Sequence, residues 1–174
     1  QQDAVDMITS LSVFFRTSLS KGKDIIPLSE EKRHTLSYLE IQQSRYRDIM
    51  EFEIRIPKEL EGVMVPKLTL QPLAENAIDH GIDVSDNEDP TLWLTIREEN
   101  EHIFFEIRDN GAGMTQEKAD QILTYQSSGY GVRNVCDRIH VLYGEKGEMK
   151  IESTPGKGTR VFIRIPKNTE AKVL

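Results

Sequence analysis

The sequence predicts an α/β two-layer sandwich, a mixed sheet with its helices on one face, preceded by a two-helix segment. Three observations predict it. Apolar residues recur at helical spacing before residue 50 and alternate with polar ones at period two beyond it. The alternating stretches "FEIRI" (52–56), "LWLTI" (92–96), "IFFEI" (103–107), "MKIES" (149–153) and "RVFIRI" (160–165) all have the composition of strands. Helical patterns fall between them, in the order strand, helix, two strands, glycine-rich insert, helix, two strands, which is how a sheet covered on one side is assembled.

Taken from the start, Ala4, Met7, Ile8, Leu11, Phe14 and Phe15 form a helical stripe that stops at the polar turn "SKGKD" (20–24). A second helix follows "PLSEE", where Ser29 is placed to cap and Glu30 and Glu31 favour the positive helix end. Leu36, Leu39, Gln43, Tyr46 and Met50 then alternate at spacings of three and four, a narrow seam for a partner helix within the chain or in a second copy. In "LTLQPLAENAIDHGI" (68–82), Leu70, Leu73, Ala74, Ala77 and Ile78 make one apolar face, while Asn76, Asp79 and His80 crowd the other. A short helix is expected near 115–124 and a third over 131–142, and the polar turns "REENEH" and "TPGKGT" close two hairpins.

Composition narrows the function. The 174 residues make room for one ordinary domain and a smaller appendage. A net charge of −7 argues against nucleic-acid binding, which needs clustered Lys and Arg. The single cysteine, Cys136, rules out an internal disulfide and falls on an apolar stripe with Val132, Val135 and Ile139. The chain opens on Gln rather than Met and shows no signal segment, so we read it as a piece of something longer.

Two stretches place glycine at element boundaries. "RDNGAGM" (108–114) leaves a strand through Asp109, Asn110, Gly111 and Gly113; "SSGYGVRNV" (127–135) enters a helix through Gly129 and Gly131. Glycine lets a ligand approach the backbone, and a glycine-rich helix entry presents N–H groups to phosphate. Singly, each is also an ordinary turn, as is "GKGT" (156–159). Together with the ENAxxHG helix and in this order, they resemble the N, G1 and G2 boxes and terminal threonine of the GHKL (Bergerat) ATP-binding fold, shared by gyrase, the ninety-kilodalton heat-shock chaperone, MutL proteins and bacterial histidine kinases. "LTLQPLAENAIDHGI", "GYGVRNVCDRI" and "LSEEKRHTLSYLEIQQSRY" are more closely similar to sensor histidine kinases of the LytS-like class, over nearly the whole chain.

The resemblance implies ATP and Mg²⁺ as ligands. Asp109 corresponds to the aspartate that reads the adenine amino group, chemistry suited to a carboxylate because it only accepts hydrogen bonds. Thr159 adds a hydroxyl or holds a water at the base. Asn76 corresponds to the asparagine that binds Mg²⁺ through its amide oxygen, with phosphate oxygens and water completing the shell. His80 stands either to touch phosphate or to close the helix end near Gly81. Gly111, Gly113, Gly129 and Gly131 would line the nucleotide. Residues 115–128 would form a lid, mobile when empty because they carry few large apolar groups.

Two departures matter. Many histidine kinases carry a basic residue three places after the asparagine, where this chain has Asp79, leaving Arg133 and Lys118 as candidates for neutralising phosphate. Four places before Asn76, where hydrolysing relatives place a water-activating glutamate, stands Pro72, which cannot act as a base; such a pocket suits transfer to another nucleophile. In the LytS-like class that nucleophile is a histidine followed by phenylalanine, and none of His34, His80, His102 and His140 qualifies. His34, in "KRHTL", reads as a solvated helix residue.

The expectation is therefore a distal part of dimerisation and phosphotransfer helices (1–50), a kinase-type ATPase domain (51–168) and a tail (169–174). The intact protein would be a membrane-anchored bacterial sensor with this portion in the cytoplasm, dimeric through its N-terminal helices and working with a response regulator. The alternatives are a non-catalytic ATP-dependent switch and a helical interaction module with a decayed pocket.

Overall fold

The computed structural model describes residues 24–45, 50–124 and 130–167. The expected helix at 4–15 and Tyr46 of the seam lie outside them, as does Gly129. All five expected strands form. β2 (Glu51–Arg55), β4 (Thr91–Glu99), β5 (His102–Asp109), β6 (Glu148–Thr154) and β7 (Gly158–Pro166) make one sheet in the order β2-β4-β5-β7-β6. The pair β2–β4 is parallel and the other three are antiparallel, so the sheet is mixed as expected. The β4–β5 hairpin turns through Asn100 and Glu101, both at positive φ (49° and 62°), a twist that suits a tight hairpin.

Two short strands were not anticipated. β1 (Ile25–Pro27) and β3 (Met64–Pro66) pair antiparallel as a separate two-stranded sheet. At three residues each, they are too short to show a period.

The helices α1 (Leu28–Arg45), α2 (Leu70–Ala77), α3 (Gln116–Ile122) and α4 (Tyr130–Tyr143) cover one face. Beneath them, Leu92, Leu94, Ile96, Ile103, Phe105, Ile107, Val161, Ile163 and Ile165 point inward from alternate strand positions and are buried. The opposite face is sealed differently. Arg97, Arg108 and Arg160 lie over the rings of Phe104, Trp93 and Phe162 at 4.5, 5.0 and 4.2 Å, so the aromatic surface is shielded by cation–π contacts rather than by a second layer.

The second helix departs from expectation in three respects. α1 packs on α2, the within-chain partner that was one of the two alternatives for the seam, and Leu39 and Met50 are fully buried in the common core; Met50, however, lies outside α1 and directly precedes β2. Gln43 Nε2 donates to the Met50 carbonyl at 3.2 Å across that exit. Ser29 lies inside the first turn; the N–H groups of Leu28 and Ser29 are taken by the carbonyls of Val63 and Glu61 at 2.8 and 2.9 Å. His34 is 2% exposed rather than solvated, because it shares the α2-facing side with Glu31, Thr35 and Tyr38. Burial, reinforced by the positive charge of Lys67, pushes its pKa down.

Of the expected lid, residues 115–124 are described and 125–128 lie outside the described residues. Gln116 at the head of α3 donates to the Ile151 carbonyl at 2.8 Å and accepts from the Ser153 N–H at 3.1 Å. Ala119 is fully buried, and Thr115 caps the helix through Lys118 N. One polar side chain that mimics a strand partner thus ties the head of α3 to β6, a contact that a count of large apolar groups does not foresee.

Candidate nucleotide site

Asp109 ends β5 on the inward side and is 2% exposed. Its Oδ1 accepts the N–H of Gly111 at 2.9 Å and of Thr159 at 3.3 Å. Those two bonds orient the carboxylate through Oδ1. Burial pushes the Asp109 pKa up, against the N–H groups of Gly111, Thr159 and Asp109 itself and the charge of Arg108, which hold it down.

Glycines make that placement possible. A Cβ on Gly81 would sit 2.7 Å from Asp109 Oδ1; one on Gly111 would sit 2.2 Å from the Gly81 carbonyl. Gly158 has φ +90°, and its Cβ would come within 2.0 Å of the Asp109 carbonyl. The chain around Asp109 is therefore packed backbone to backbone, with Ala112 N–H donating to Gly81 O at 2.8 Å and Gly156 N–H to Ala112 O at 2.6 Å. Gly113, at φ +62°, closes the same layer against the Thr154 carbonyl.

Thr159 is 7% exposed, and its hydroxyl lies 2.9 Å from Ser153 Oγ. Ser153 is a hub: it accepts from Met114 N–H at 2.9 Å and lies 3.0 Å from the Gly158 carbonyl. The sequence carries no signal for Ser153. Gly81 and Gly158 were visible in the sequence as parts of the ENAxxHG and GKGT motifs, a helix end and a hairpin turn, but not as neighbours of Asp109.

Asn76 is half-buried on α2, and among the described residues its amide has no hydrogen-bond partner. α2 does not end as an ordinary helix. It runs on into a π-turn, Ile78–Ile82, in which Asp83 N–H reaches the Ile78 carbonyl at 2.8 Å, and this wider turn delivers Gly81 to Asp109. His80 lies in that turn and is exposed. Glu75 and Asp79 flank Asn76 on and after α2, and burial, and after it the charge of Asp79, pushes the Glu75 pKa up. The neutral amide oxygen of Asn76 is a hard ligand of a kind Mg²⁺ accepts.

Gly131, in the first turn of α4, has Pro72 Cβ 3.7 Å from where its own Cβ would be, an ordinary contact. Packing therefore does not demand glycine there. The contact places the α4 entry against the face of α2 that carries Pro72 and Asn76. Arg133 lies 3.6 Å from Asp137, one turn on, and Lys118 is exposed on α3. The described residues thus gather Gly81, Gly111, Gly158 and Thr159 around Asp109, with Gly113 in the same layer, and set Gly131 against Pro72, one turn before Asn76.

The family profile described as histidine kinase-, DNA gyrase B- and HSP90-like ATPase matches residues 66–169. The chain belongs to this ATPase family. A second profile, histidine kinase, matches residues 1–50. Among curated relatives, the sensor histidine kinase BtsS of Escherichia coli K12 is 31% identical over 98% of this chain. The sensor histidine kinase YesM of Bacillus subtilis is 32% identical over 98%. This chain spans 29% of the length of each of them. In fold, it resembles the histidine kinase domain of the Erythrobacter litoralis EL346 blue-light-activated kinase, with a TM-score of 0.64 at 20% identity, covering 95% of this chain and 75% of that one. The catalytic domain of the histidine kinase ThkA gives 0.62 at 20% identity, covering 84% and 97%. The LytS-like resemblance and the ATP-binding assignment drawn from the sequence hold.

Proposed function

We propose that this ATPase domain binds Mg·ATP and hands the γ-phosphoryl group to a histidine on a segment outside this chain, which passes it to a response regulator. The observation that carries the reading is the Asp109 carboxylate: buried, oriented through Oδ1 by two backbone N–H groups, and able to accept from the adenine amino group. Asn76 holds the metal, Gly111, Gly113, Gly129 and Gly131 admit the nucleotide, Thr159 supports the base, and His80, Arg133 and Lys118 are the candidates for phosphate. The bound metal supplies charge neutralisation at the phosphates, which the negative surroundings of Asn76 make necessary.

Pro72 takes the place from which a general base would act, so water is not activated and the competing nucleophile is the imidazole. In that step the γ-phosphorus bond to the bridging oxygen breaks with its electron pair leaving on ADP, and a phosphorus–nitrogen bond forms as the ring gives up its proton. Residues 1–50 act as the distal part of the dimerisation and phosphotransfer helices, 51–168 as the catalytic unit and 169–174 as a tail. The whole protein is a dimer whose missing part anchors it to a membrane, with this portion in the cytoplasm; no helix among the described residues is long and apolar enough to cross one.

The test is incubation of this chain with labelled Mg·ATP, alone and with a longer, kinase-dead chain that retains its histidine. Slow turnover and no self-labelling alone, with acid-labile, base-stable label on the longer chain, is the expected result. Brisk hydrolysis alone, or phosphate on His34, overturns it.

A further inference from the structure

We propose that Glu31 is a positioning residue for Asn76: from α1 it holds the entry of the Asn76 helix in the one placement that keeps the metal ligand in register with Asp109. The inference rests on the reading of Asn76 as the anchor of Mg·ATP.

Glu31 is 0% exposed, and its carboxylate is consumed by a neighbouring helix rather than its own. Oε1 accepts the N–H groups of Thr69 and Leu70 at 2.6 and 2.8 Å, and Oε2 accepts that of Leu68 at 3.0 Å. Leu70 opens α2, so these are the orphan donors every helix start leaves. Thr69, which stands at the capping position, makes no cap; its hydroxyl donates to the Pro66 carbonyl at 2.7 Å. The capping oxygens come instead from 38 residues upstream.

The same segment is held from its other side. Arg138 of α4 donates to the Lys67 carbonyl, and Leu68 sits at φ 57°, a conformation a leucine keeps only when its surroundings enforce it. Lys67 to Leu70 is thereby clamped between α1 and α4, the helix that Gly131 opens.

α2 is only eight residues long, so Asn76 lies about 9 Å along the axis from Leu70. At its far end the π-turn wedges Gly81 under Asp109. The helix is thus pinned twice, to the adenine-reading carboxylate at its exit and to Glu31 at its entry. Releasing the entry leaves the exit in place, so Asn76 shifts while the adenine end keeps its geometry. Glu31 would then affect the metal-dependent part of nucleotide affinity and leave the metal-free part alone, a division that a purely stabilising residue does not produce.

The experiment titrates this chain with ATP in magnesium and with ATP in chelator, for wild type, Asn76→Ala, Glu31→Gln, Glu31→Asp and Ile163→Val, with melting temperatures alongside. In Glu31→Gln an amide donor replaces one of the accepting oxygens, and Glu31→Asp keeps the charge one methylene short. We expect Glu31→Gln to lose about tenfold in Mg·ATP affinity, the scale of a small misplacement, with metal-free affinity unchanged and Asn76→Ala showing the same pattern. Glu31→Asp should fall between and serves as the reading if the Gln variant does not fold. Ile163→Val, a core change in β7, should lower the melting temperature and keep the magnesium dependence. If both Glu31 variants keep it too, Glu31 is structural only and the inference is overturned. If Asn76→Ala leaves the wild-type magnesium dependence intact, the reading of Asn76 fails and takes this inference with it.

Discussion

Asp109 and Glu31 are the same chemical group in two different uses. Each is a buried carboxylate whose pKa burial pushes up, and each is opposed by backbone N–H groups. At Asp109 both hydrogen bonds from other residues, the N–H groups of Gly111 and Thr159, fall on Oδ1. At Glu31 the protein supplies three donors over both oxygens, with Arg138 adding its charge. We read the first as a recognition element and the second as a joint between helices. The difference lies in how the donors from other residues are spread over the two oxygens, not in burial or in the direction of the pKa.

The widest separation should come from truncating the joint. Glu31→Ala strands two buried N–H groups and a third that is part-buried, the buried ones costing about 1–3 kcal/mol each, so denaturant unfolding should show a loss of about 3 kcal/mol or more. A loss under about 1 kcal/mol, with water taking the donors, would erase the distinction. Gly158→Ala tests the recognition side by packing: positive φ and a Cβ against the Asp109 carbonyl should cost about 2–3 kcal/mol and loosen the nucleotide as well. Equal nucleotide affinity in a destabilised Gly158→Ala would mean that Asp109 does not depend on its glycine cradle.

Asp109→Asn sharpens the comparison because its two effects have opposite signs. The Asn oxygen can keep both backbone donors, which turns its NH₂ toward the ligand, donor against donor. Calorimetry should show affinity for ATP falling at least about tenfold, since a charged hydrogen bond is worth about 1.5–3 kcal/mol. Stability should move the other way. With the folded pKa raised, the contribution of Asp109 is full below the ordinary carboxylate value and is lost as pH rises through the folded one, so at neutral pH the ionised group burdens the empty chain. Asp109→Asn should raise the melting temperature at pH 7, and the gain should fade toward pH 4. A melting temperature that falls at pH 7 would make Asp109 a joint like Glu31.

The smallest effect belongs to His34, one turn along α1 from Glu31. Its depressed pKa means that its contribution is present above the unfolded value of about 6.5 and is lost as pH falls through the folded one. His34→Gln should flatten the decline in melting temperature below that pH. An unchanged decline would show that the α1–α2 contact is indifferent to the imidazole.

How much of this could be read beforehand follows the range of the interactions. Asp109, Gly111 and Gly113 lie within five consecutive residues at a strand end, and the strands themselves announce their inward faces by alternation. Met50 was misplaced because its spacing continued the helical pattern by chance, whereas it lies outside α1 and directly before β2. His34 looked solvated because "KRHTL" is polar, and nothing local tells that α2 lies across it. Gln116 was missed because two hydrogen bonds to a strand leave no trace in hydropathy.

By itself, then, the sequence determined the order and faces of the five strands, the glycine-flanked Asp109, and the acidic neighbourhood of Asn76 without a basic residue at position 79. These are set by period, turn chemistry and side-chain type within a few residues of one another. Tertiary structure alone decided that α1 lies on the catalytic unit, that Gly81 and Gly158 are there for Asp109, and that Glu31 caps a helix 38 residues away. Those depend on which backbone donors are left over once every element has formed, and a leftover donor can be counted only after the chain has closed on itself.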